Sequence, residues 1–595
     1  MCGIGAIFVY GDAPRPNRDE LLRIRDRMAK RGPDGTGEWI SPDGRIALGH
    51  RRLSIIDLSE AGAQPMRSDD GGLVIVFNGE IYNYRELRDT LMAKGVRIRS
   101  ESDTEVLLHL YAEKGEGMLH ALRGMYAFAI WDARKEGLFL ARDPFGIKPL
   151  YFSDDGKTIR VASQVKALLA GGNVDTSPEP AGHVGFFLWG HVPEPYTLYK
   201  GIRAVPPGTS LWVDTHGRKE QKIFCSIRDE YASLGDDPQG KDPGRSGASL
   251  RELLLDSVRH HLVADVPVGV FLSAGLDSTT LAALVSEIIP GSLNTITLGF
   301  REFRGTENDE TPLAEQVARQ YGTAHRTIWV EQSDFQTELP SLLDAMDQPT
   351  IDGVNSYFVS YAAVRAGLKV AISGLGGDEI FGGYPSFRQI PRTVALVNPV
   401  SGLPLLGKTF RAVSVPVLQR LTSPKYAGLL EYGGSYGGAY LLRRGMYMPW
   451  ELPDLLDGDM VREGWGALQT VARLDDTVRG IRMPHLKVSA LESCWYMRNQ
   501  LLRDTDWASM AHSLEIRVPL VDIPLLRGIL PMLGGKNPPT KRELGETPST
   551  PLPAAVSLRK KTGFSIPVRE WILGKEGASG ERGLRGWAKR IYRCF

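Results

Sequence analysis

The sequence predicts two domains of different class, an α+β layered domain over residues 1–215 and an α/β parallel-sheet domain over residues 249–595. Three observations predict this. The first third is rich in short apolar or alternating runs broken by Gly, Asp and Asn, with only a few helical periods among them. From His216 the composition shifts to Lys, Asp, Gly, Pro and Ser, which predicts a linker over 216–248. Beyond it, strand-like and helix-like runs alternate, the pattern of βαβ units around a parallel sheet. A chain of 595 residues is long enough for two or three domains.

In the first domain strands are expected at residues 4–9, 46–48, 73–77, 127–131, 138–141 and 158–162. Helical spacing marks 19–30, 84–94 and 104–114. In the second domain the expected order is helix 249–261, strand 268–272, helix 279–289, strand 293–298, helix 310–321, strand 325–330, helix 355–366 and strand 369–372. Residues 389–480 are mixed and give no order, and 486–502 has helical spacing. The basic residues Arg582, Arg585, Lys589, Arg590 and Arg593 near the end read as a solvated helix face.

Composition excludes several classes. A net charge of +1 gives no global attraction to nucleic acid or a membrane surface. No apolar run approaches the ~20 residues that span a bilayer. The four cysteines, Cys2, Cys225, Cys494 and Cys594, are scattered and form no CxxC pair, which argues against a disulfide framework or zinc site and fits a reducing, cytoplasmic location.

The chemistry starts at Met1-Cys2-Gly3. Removal of the initiator Met leaves Cys2 with a thiol and a free α-amine, which titrates near ~7.7–8.0. Nucleophile and base then sit on one residue. Further polar clusters follow at turns and strand ends. They are Arg31-Gly32-Pro33-Asp34, Arg52-Leu53-Ser54-Ile55-Ile56-Asp57, Phe77-Asn78-Gly79-Glu80-Ile81-Tyr82-Asn83, and Ser102-Asp103, where either residue suits a helix N-cap. The last is Ala141-Arg142-Asp143-Pro144-Phe145-Gly146-Ile147-Lys148-Pro149-Leu150-Tyr151.

In this order the clusters resemble the glutaminase domain of the class II, N-terminal-nucleophile glutamine amidotransferases. The resemblance implies a four-layer sandwich fold with Cys2 as nucleophile and the Asn78 side chain and Gly79 N–H as oxyanion donors. It also implies glutamine contacts at Arg52, Leu53, Ser54, Ile55, Ile56, Asn78, Gly79, Glu80 and Asp103. Arg52 suits the α-carboxylate of a free amino acid and Asp103 its ammonium.

In the second domain Leu272-Ser273-Ala274-Gly275-Leu276-Asp277-Ser278 lies between a strand and a helix, where small residues let backbone N–H groups approach an anion. It lacks the Gly-Lys-Ser/Thr ending of a P-loop and resembles the SGGxDS loop of ATP pyrophosphatases, with Ala274 in place of a Gly. A second Gly-rich loop, Ser373-Gly374-Leu375-Gly376-Gly377-Asp378-Glu379, follows strand 369–372. Parallel strands carry ligands at their carboxyl ends, so one nucleotide can touch both loops. Asp277 and Asp378 are the candidate Mg²⁺ ligands. Resemblance places adenosine against Leu272, Leu298, Ser373 and Gly374, and Lys561 near the phosphates. The stretch 509–519 reads as packed helix and turn.

Together the halves resemble glutamine-hydrolysing asparagine synthetases, which implies ATP-driven adenylation of a carboxylate, aspartate first, and a homodimer. Two stretches depart from that family. Leu375 stands where it shows an acid, and Asp347-Gln348-Pro349-Thr350-Ile351-Asp352-Gly353-Val354-Asn355-Ser356 replaces its Glu-Pro and Asp-Pro-Ser patterns. A Leu neither accepts a proton nor pairs with an ammonium. The alternatives are therefore another acceptor, such as a sugar acid or natural-product acid, or a ring-closing relative of the β-lactam-forming enzymes. Cys2 and the full glutaminase set argue against the latter. A non-catalytic glutamine or nucleotide sensor is the reading from another class, and the presence of Cys2, Asp277 and Asp378 argues against it.

Overall fold

The structure is a computed structural model that describes residues 1–233, 249–400, 404–421, 423–559, 567, 571 and 583–595. Two six-stranded antiparallel sheets form the first domain. In the first sheet the strand Gly3–Val9 lies between Ile46–Arg52 and Thr158–Ala162, with Gly3 opposite Arg51. Period-two alternation sends Ile4, Ala6 and Phe8 to one face, where they pack with Val74, Val76, Ala127, Ala129 and Leu140 of the second sheet. Ile7 points the other way, onto Leu21 and Ile24 of the helix Arg18–Arg27. The helix Asp103–Lys114 covers the second sheet over Leu73–Ile81, with Tyr84–Ala93 beside it. This gives the helix–sheet–sheet–helix sandwich implied by the resemblance.

The domain runs past the expected boundary at 215. Residues Lys219–Ile223, expected in the linker, pair with Thr209–Asp214 as the outermost strand of the second sheet. Their side chains are exposed, and Lys219, Glu220 and Lys222 charge a free sheet edge, the usual protection against edge-to-edge pairing. Such a strand has linker composition, which is why sequence alone misplaced it. The helix Ile227–Ala232 follows.

In the second domain five parallel strands are ordered Ala324–Val330, Asn294–Phe300, Val268–Phe271, Val370–Ile372 and Glu515–Arg517. The fifth strand is a correction, since it lies in the stretch read as packed helix and turn. Three residues of alternating charge gave no apolar run to signal it. The region without order is mainly helical, including Ser386–Val397, Tyr436–Arg444 and Gly458–Leu468. The helix expected at 486–502 begins as Pro484–Leu491, widens over Glu492–Leu502 to i→i+5 hydrogen bonding, and resumes as Arg503–Met510. Such widened segments are frequent at functional sites.

The last helix, Arg585–Tyr592, buries Trp587, Ala588 and Ile591, and its Tyr592 ring stacks on Phe186 of the first domain. Its basic cluster is not uniformly solvated, because Arg585 turns inward to Glu451 at 2.8 Å. Arg582 lies outside the described residues. No helix among them is long and apolar enough to cross a membrane.

Candidate active site

Cys2 opens the central strand of the first sheet, and Asn78 lies near the end of a strand in the second. The Cys2 backbone N–H donates to Asn78 Oδ1 at 2.9 Å. Asn78 is wholly buried, and its Nδ2 has no hydrogen-bond partner among the described residues. An unpaired buried donor costs about 1–3 kcal/mol, so its place beside a nucleophile calls for a ligand. Burial pushes the Cys2 thiol up, against a backbone hydrogen bond from Leu53 and the positive chain terminus.

Gly79 is required by space. A Cβ there would lie 2.1 Å from the Met125 carbonyl oxygen on the adjacent strand. Gly79→Ala is expected to destabilise the protein by about 1–3 kcal/mol, read from denaturant unfolding, and to lower glutamine hydrolysis as the site's backbone shifts.

The residues 52–57 make a bent loop with Leu53, Ile55 and Ile56 buried and Asp57 at a left-handed φ of 52°. Arg52 fastens it, donating from Nη1 to Ser59 O at 2.7 Å and from Nη2 to the carbonyls of Ile56 and Asp57. The second domain fastens it too. Asp265 accepts from Asp57 N at 2.8 Å and donates its own N–H to Ile55 O, while Ser54 N donates to Asp34, which pairs with Lys369 at 2.9 Å.

Of the two N-cap candidates, Ser102 is the cap, with Oγ accepting from Thr104 N. Asp103 is thereby free to accept from Ile81 N at 3.0 Å. Burial, and then Glu515, push its carboxyl up to about 6. Glu80 is buried beside Arg517 (3.5 Å), and burial with the nearby Glu515 charge raises its pKa well above the carboxylate range. Burial would raise Glu515 as well, but Arg517 at 2.6 Å and the Met1 amine at 3.3 Å outweigh it and hold Glu515 ionised.

A second buried ion cluster lies on the same side. Asp506 receives Arg31 Nη1 at 2.7 Å and Lys148 Nζ at 3.0 Å, and Arg31 Nε donates to Cys2 O at 3.0 Å. Burial alone would raise the Asp506 pKa, but the two cations outweigh it and hold the carboxylate at about 2. Sequence reasoning missed Asp506, Glu515 and Arg517. The available signal was charged residues in a stretch otherwise packed as core.

The two Gly-rich loops meet as expected at the carboxyl ends of the neighbouring strands Val268–Phe271 and Val370–Ile372. The helix Leu276–Ile288 starts at Gly275, whose N–H donates to Ser273 Oγ, and Ser273 Oγ lies 2.8 Å from Ser278 Oγ. The loops touch closely, since a Cβ on Gly377 would lie 2.6 Å from Asp277 Oδ1 and one on Gly374 3.0 Å from Asp277 Cβ. Leu272 N–H donates to Ile296 O, and the Thr297 hydroxyl to Leu272 O, which sets Leu298 one residue beyond this junction. Lys541, absent from the sequence reading, places its ammonium between Asp277 and Asp378, 2.9 Å from Asp378 Oδ1. It opens the short helix Lys541–Gly545, just after the capping residue Thr540, and the Thr540-to-Glu543 capping box was the one signal in the sequence there. Lys561 lies outside the described residues.

In the second loop Leu375 is a half-buried side chain packed on the core. Glu379 is buried, accepts from Tyr384 OH at 2.7 Å, and is pushed up to about 7 by burial and by Asp378. The divergent stretch 347–356 joins the domains. Asp347 accepts from the backbone N–H groups of Val165 and Lys166, both at 2.9 Å, at the start of a first-domain helix. Asp347 thus has a structural partner, and Asp352 is the acid of this stretch that faces a cavity.

Fold and site together define an N-terminal-nucleophile glutaminase joined to a parallel-sheet domain with two converging anion loops. The chain matches the glutamine amidotransferase domain family over residues 1–224 and the asparagine synthase family over residues 249–584. It is 32% identical to asparagine synthetase [glutamine-hydrolyzing] 1 of Bacillus subtilis (strain 168), over 96% of this chain and 88% of that one. It is 33% identical to a putative asparagine synthetase [glutamine-hydrolyzing] of Mycobacterium bovis, over 97% and 89%. It is also 33% identical to amidase chry2 of Gibberella zeae, over 65% and 60%. The chain belongs to the glutamine-dependent asparagine synthetase family and is a glutamine-hydrolysing carbon–nitrogen ligase.

Proposed function

We propose that this chain converts a carboxylic acid to its amide, with nitrogen from glutamine and free energy from ATP. The observation that carries the glutaminase half is the buried, unpartnered Asn78 Nδ2 on the side chain whose Oδ1 holds the Cys2 nitrogen.

With Met1 removed, the Cys2 amine takes the thiol proton and the sulfur attacks the glutamine side-chain carbonyl. Asn78 Nδ2 and the Gly79 N–H stabilise the oxyanion, a contribution typically worth ~10²–10³ in rate per donor. Ammonia leaves, and water cleaves the thioester to glutamate. Arg52 with residues 53–56 contacts the glutamine α-carboxylate side, and Asp103 and Glu80 the ammonium side. In the second domain the acceptor carboxylate attacks the α-phosphorus of ATP and pyrophosphate departs. Ammonia then attacks the acyl-adenylate, giving amide, AMP and a proton. The loop 272–278, Leu298, Ser373 and Gly374 hold the nucleotide, with Lys541 and Lys561 toward its phosphates.

Asp277 and Asp378 converge on one cation position, which suits a Mg²⁺ bound by two carboxylates and phosphate oxygens. Bound there, the ion neutralises phosphate charge. Free cysteines suit a reduced compartment, so a cytoplasmic location is proposed, and a homodimer is proposed on the family resemblance alone.

Glutamine affinity follows the charge of Asp103. Its carboxyl is raised to about 6, so it is ionised above that pH and loses its charge below it. KM for glutamine is therefore expected to rise as pH falls through about 6, and Asp103→Asn to show a high KM with that step removed. Initial-rate glutaminase assays across pH read both.

Aspartate is the first acceptor to test, since the relatives carry the name asparagine synthetase. Leu375 favours a second reading, an acid without an α-ammonium at that position. The deciding experiment supplies amide-¹⁵N-glutamine, ATP, Mg²⁺ and aspartate, and follows product mass and pyrophosphate. Labelled asparagine with matching pyrophosphate establishes the first reading. Glutamate without asparagine, followed by a labelled amide from another acid, establishes the second. Absence of any labelled amide refutes amide formation.

A further inference from the structure

A cavity of about 430 Å³ lies where the first-domain helix Pro180–Trp189 meets the second domain. Pockets of ~300–1,000 Å³ hold ligands well above the size of a small amino acid. Aromatic rings make much of its wall. Trp189 and Trp495 have ring centroids 6.1 Å apart, and Tyr440 lies 6.1 Å from Trp189.

Three cations face the same space, Lys425, Arg444 and Arg585. Arg585 is matched by Glu451 at 2.8 Å and Arg444 by Glu492 at 2.9 Å. Lys425 has no carboxylate within ion-pair distance among the described residues. Burial, with Arg585 and Arg443, outweighs Glu451 and lowers its pKa to about 8. The one acid in the wall, Asp352, is already engaged by Asn355 Nδ2 at 3.2 Å, and burial raises its pKa. The cavity therefore favours an anion and disfavours an added ammonium.

No residue of the second Gly-rich loop lines the cavity, and the link to that loop runs through Arg444. The Arg444 guanidinium lies 3.8 Å from the ring centre of Tyr496 and 4.5 Å from that of Tyr384. Tyr384 in turn bonds Glu379, the residue after Asp378. An acid seated here is separated from Glu379 of that loop by the Arg444 and Tyr384 side chains. Electron-rich ring faces attract polarised C–H edges, so aromatic walls suit a saturated ring as well as a flat one.

We propose that this cavity binds the acceptor, and that the acceptor is a ring-bearing acid with a second negative charge, of the class of phosphorylated sugar acids. This rests on the amide-forming reading above. Lys425 meets the second charge, and the aromatic walls meet the ring.

The test titrates the full-length protein calorimetrically with glucuronic acid 1-phosphate and, separately, with aspartate, and then repeats the ¹⁵N product assay with each. Glucuronic acid 1-phosphate is expected to bind and to yield a labelled amide. Lys425→Gln should weaken binding about tenfold or more, while Lys425→Arg, which keeps the charge, retains it. Labelled asparagine, with no binding of the sugar acid or with binding indifferent to Lys425→Gln, overturns the inference and leaves amide formation standing. Lys425-dependent binding with no labelled amide from any acid keeps the cavity as an anion site and overturns its acceptor role together with the amide-forming reading.

Discussion

Cys2→Ala is expected to abolish glutamine-dependent amide formation, lowering glutamine hydrolysis on the order of 10⁴-fold or more. The reason is chemical rather than structural. Two contacts that fix this residue are made by its backbone, Cys2 N–H to Asn78 and Cys2 O from Arg31, and neither needs the sulfur, so only the Leu53 hydrogen bond to the thiol is lost. The interdomain ion cluster of Arg31, Lys148 and Asp506 therefore remains. Amide synthesis supplied with ammonium salt should continue, because ammonia then enters without the thioester. Parallel assays with glutamine and with ammonium salt check this. Loss of both activities would mean that the thiol supports the fold, and loss of neither that another group is the nucleophile. A glutamine sensor would keep its biological effect in the same variant.

Asp277→Asn carries the second large effect. Among the described residues, Asp277 and Asp378 share the Lys541 ammonium at the junction of the two loops. A divalent cation bound by these two carboxylates and phosphate oxygens would lose half of its protein ligands with one carboxylate removed. Pyrophosphate release is expected to fall about 10²–10³-fold, the scale of losing one fixed group that stabilises developing charge. Glutamine hydrolysis should persist, since none of the contacts of Asp277 with other described residues reaches the Cys2 site. Coupled pyrophosphate and glutamate assays separate the two. An unchanged pyrophosphate rate would remove Asp277 from the proposed metal site.

The sequence was most informative where the relevant residues are neighbours. Alternation over 4–9 and 73–77 predicted strands because side-chain direction has a period of two. Cys2, Asn78-Gly79 and the loops 272–278 and 373–379 were legible because their chemistry resides in short runs. Cys2 proved to precede a strand and both loops to sit at strand-to-helix turns, whereas Asn78-Gly79, read as closing a strand, lies within the strand Leu73–Ile81, paired with Ala127 and Tyr126. The charged edge Lys219–Ile223 was misread because a protected edge strand and a linker have the same composition. Lys561, legible by resemblance, lies outside the described residues.

What tertiary structure decided was charge. Arg31 and Asp506 are 475 positions apart, and Lys541 is 264 from Asp277, so no window of sequence contains either pair. Burial then set their consequences. In a low-dielectric interior a carboxylate keeps its charge only beside cations, as Asp506 does between Arg31 and Lys148. Where like charge adds to burial, as for Glu80 and Asp103 near Glu515, the pKa rises. The chain's order of residues determined the two domains and their nucleophile and loops. Only folding decided which charges face one another, because electrostatic energy depends on distance through space and on burial, and neither is written along the chain.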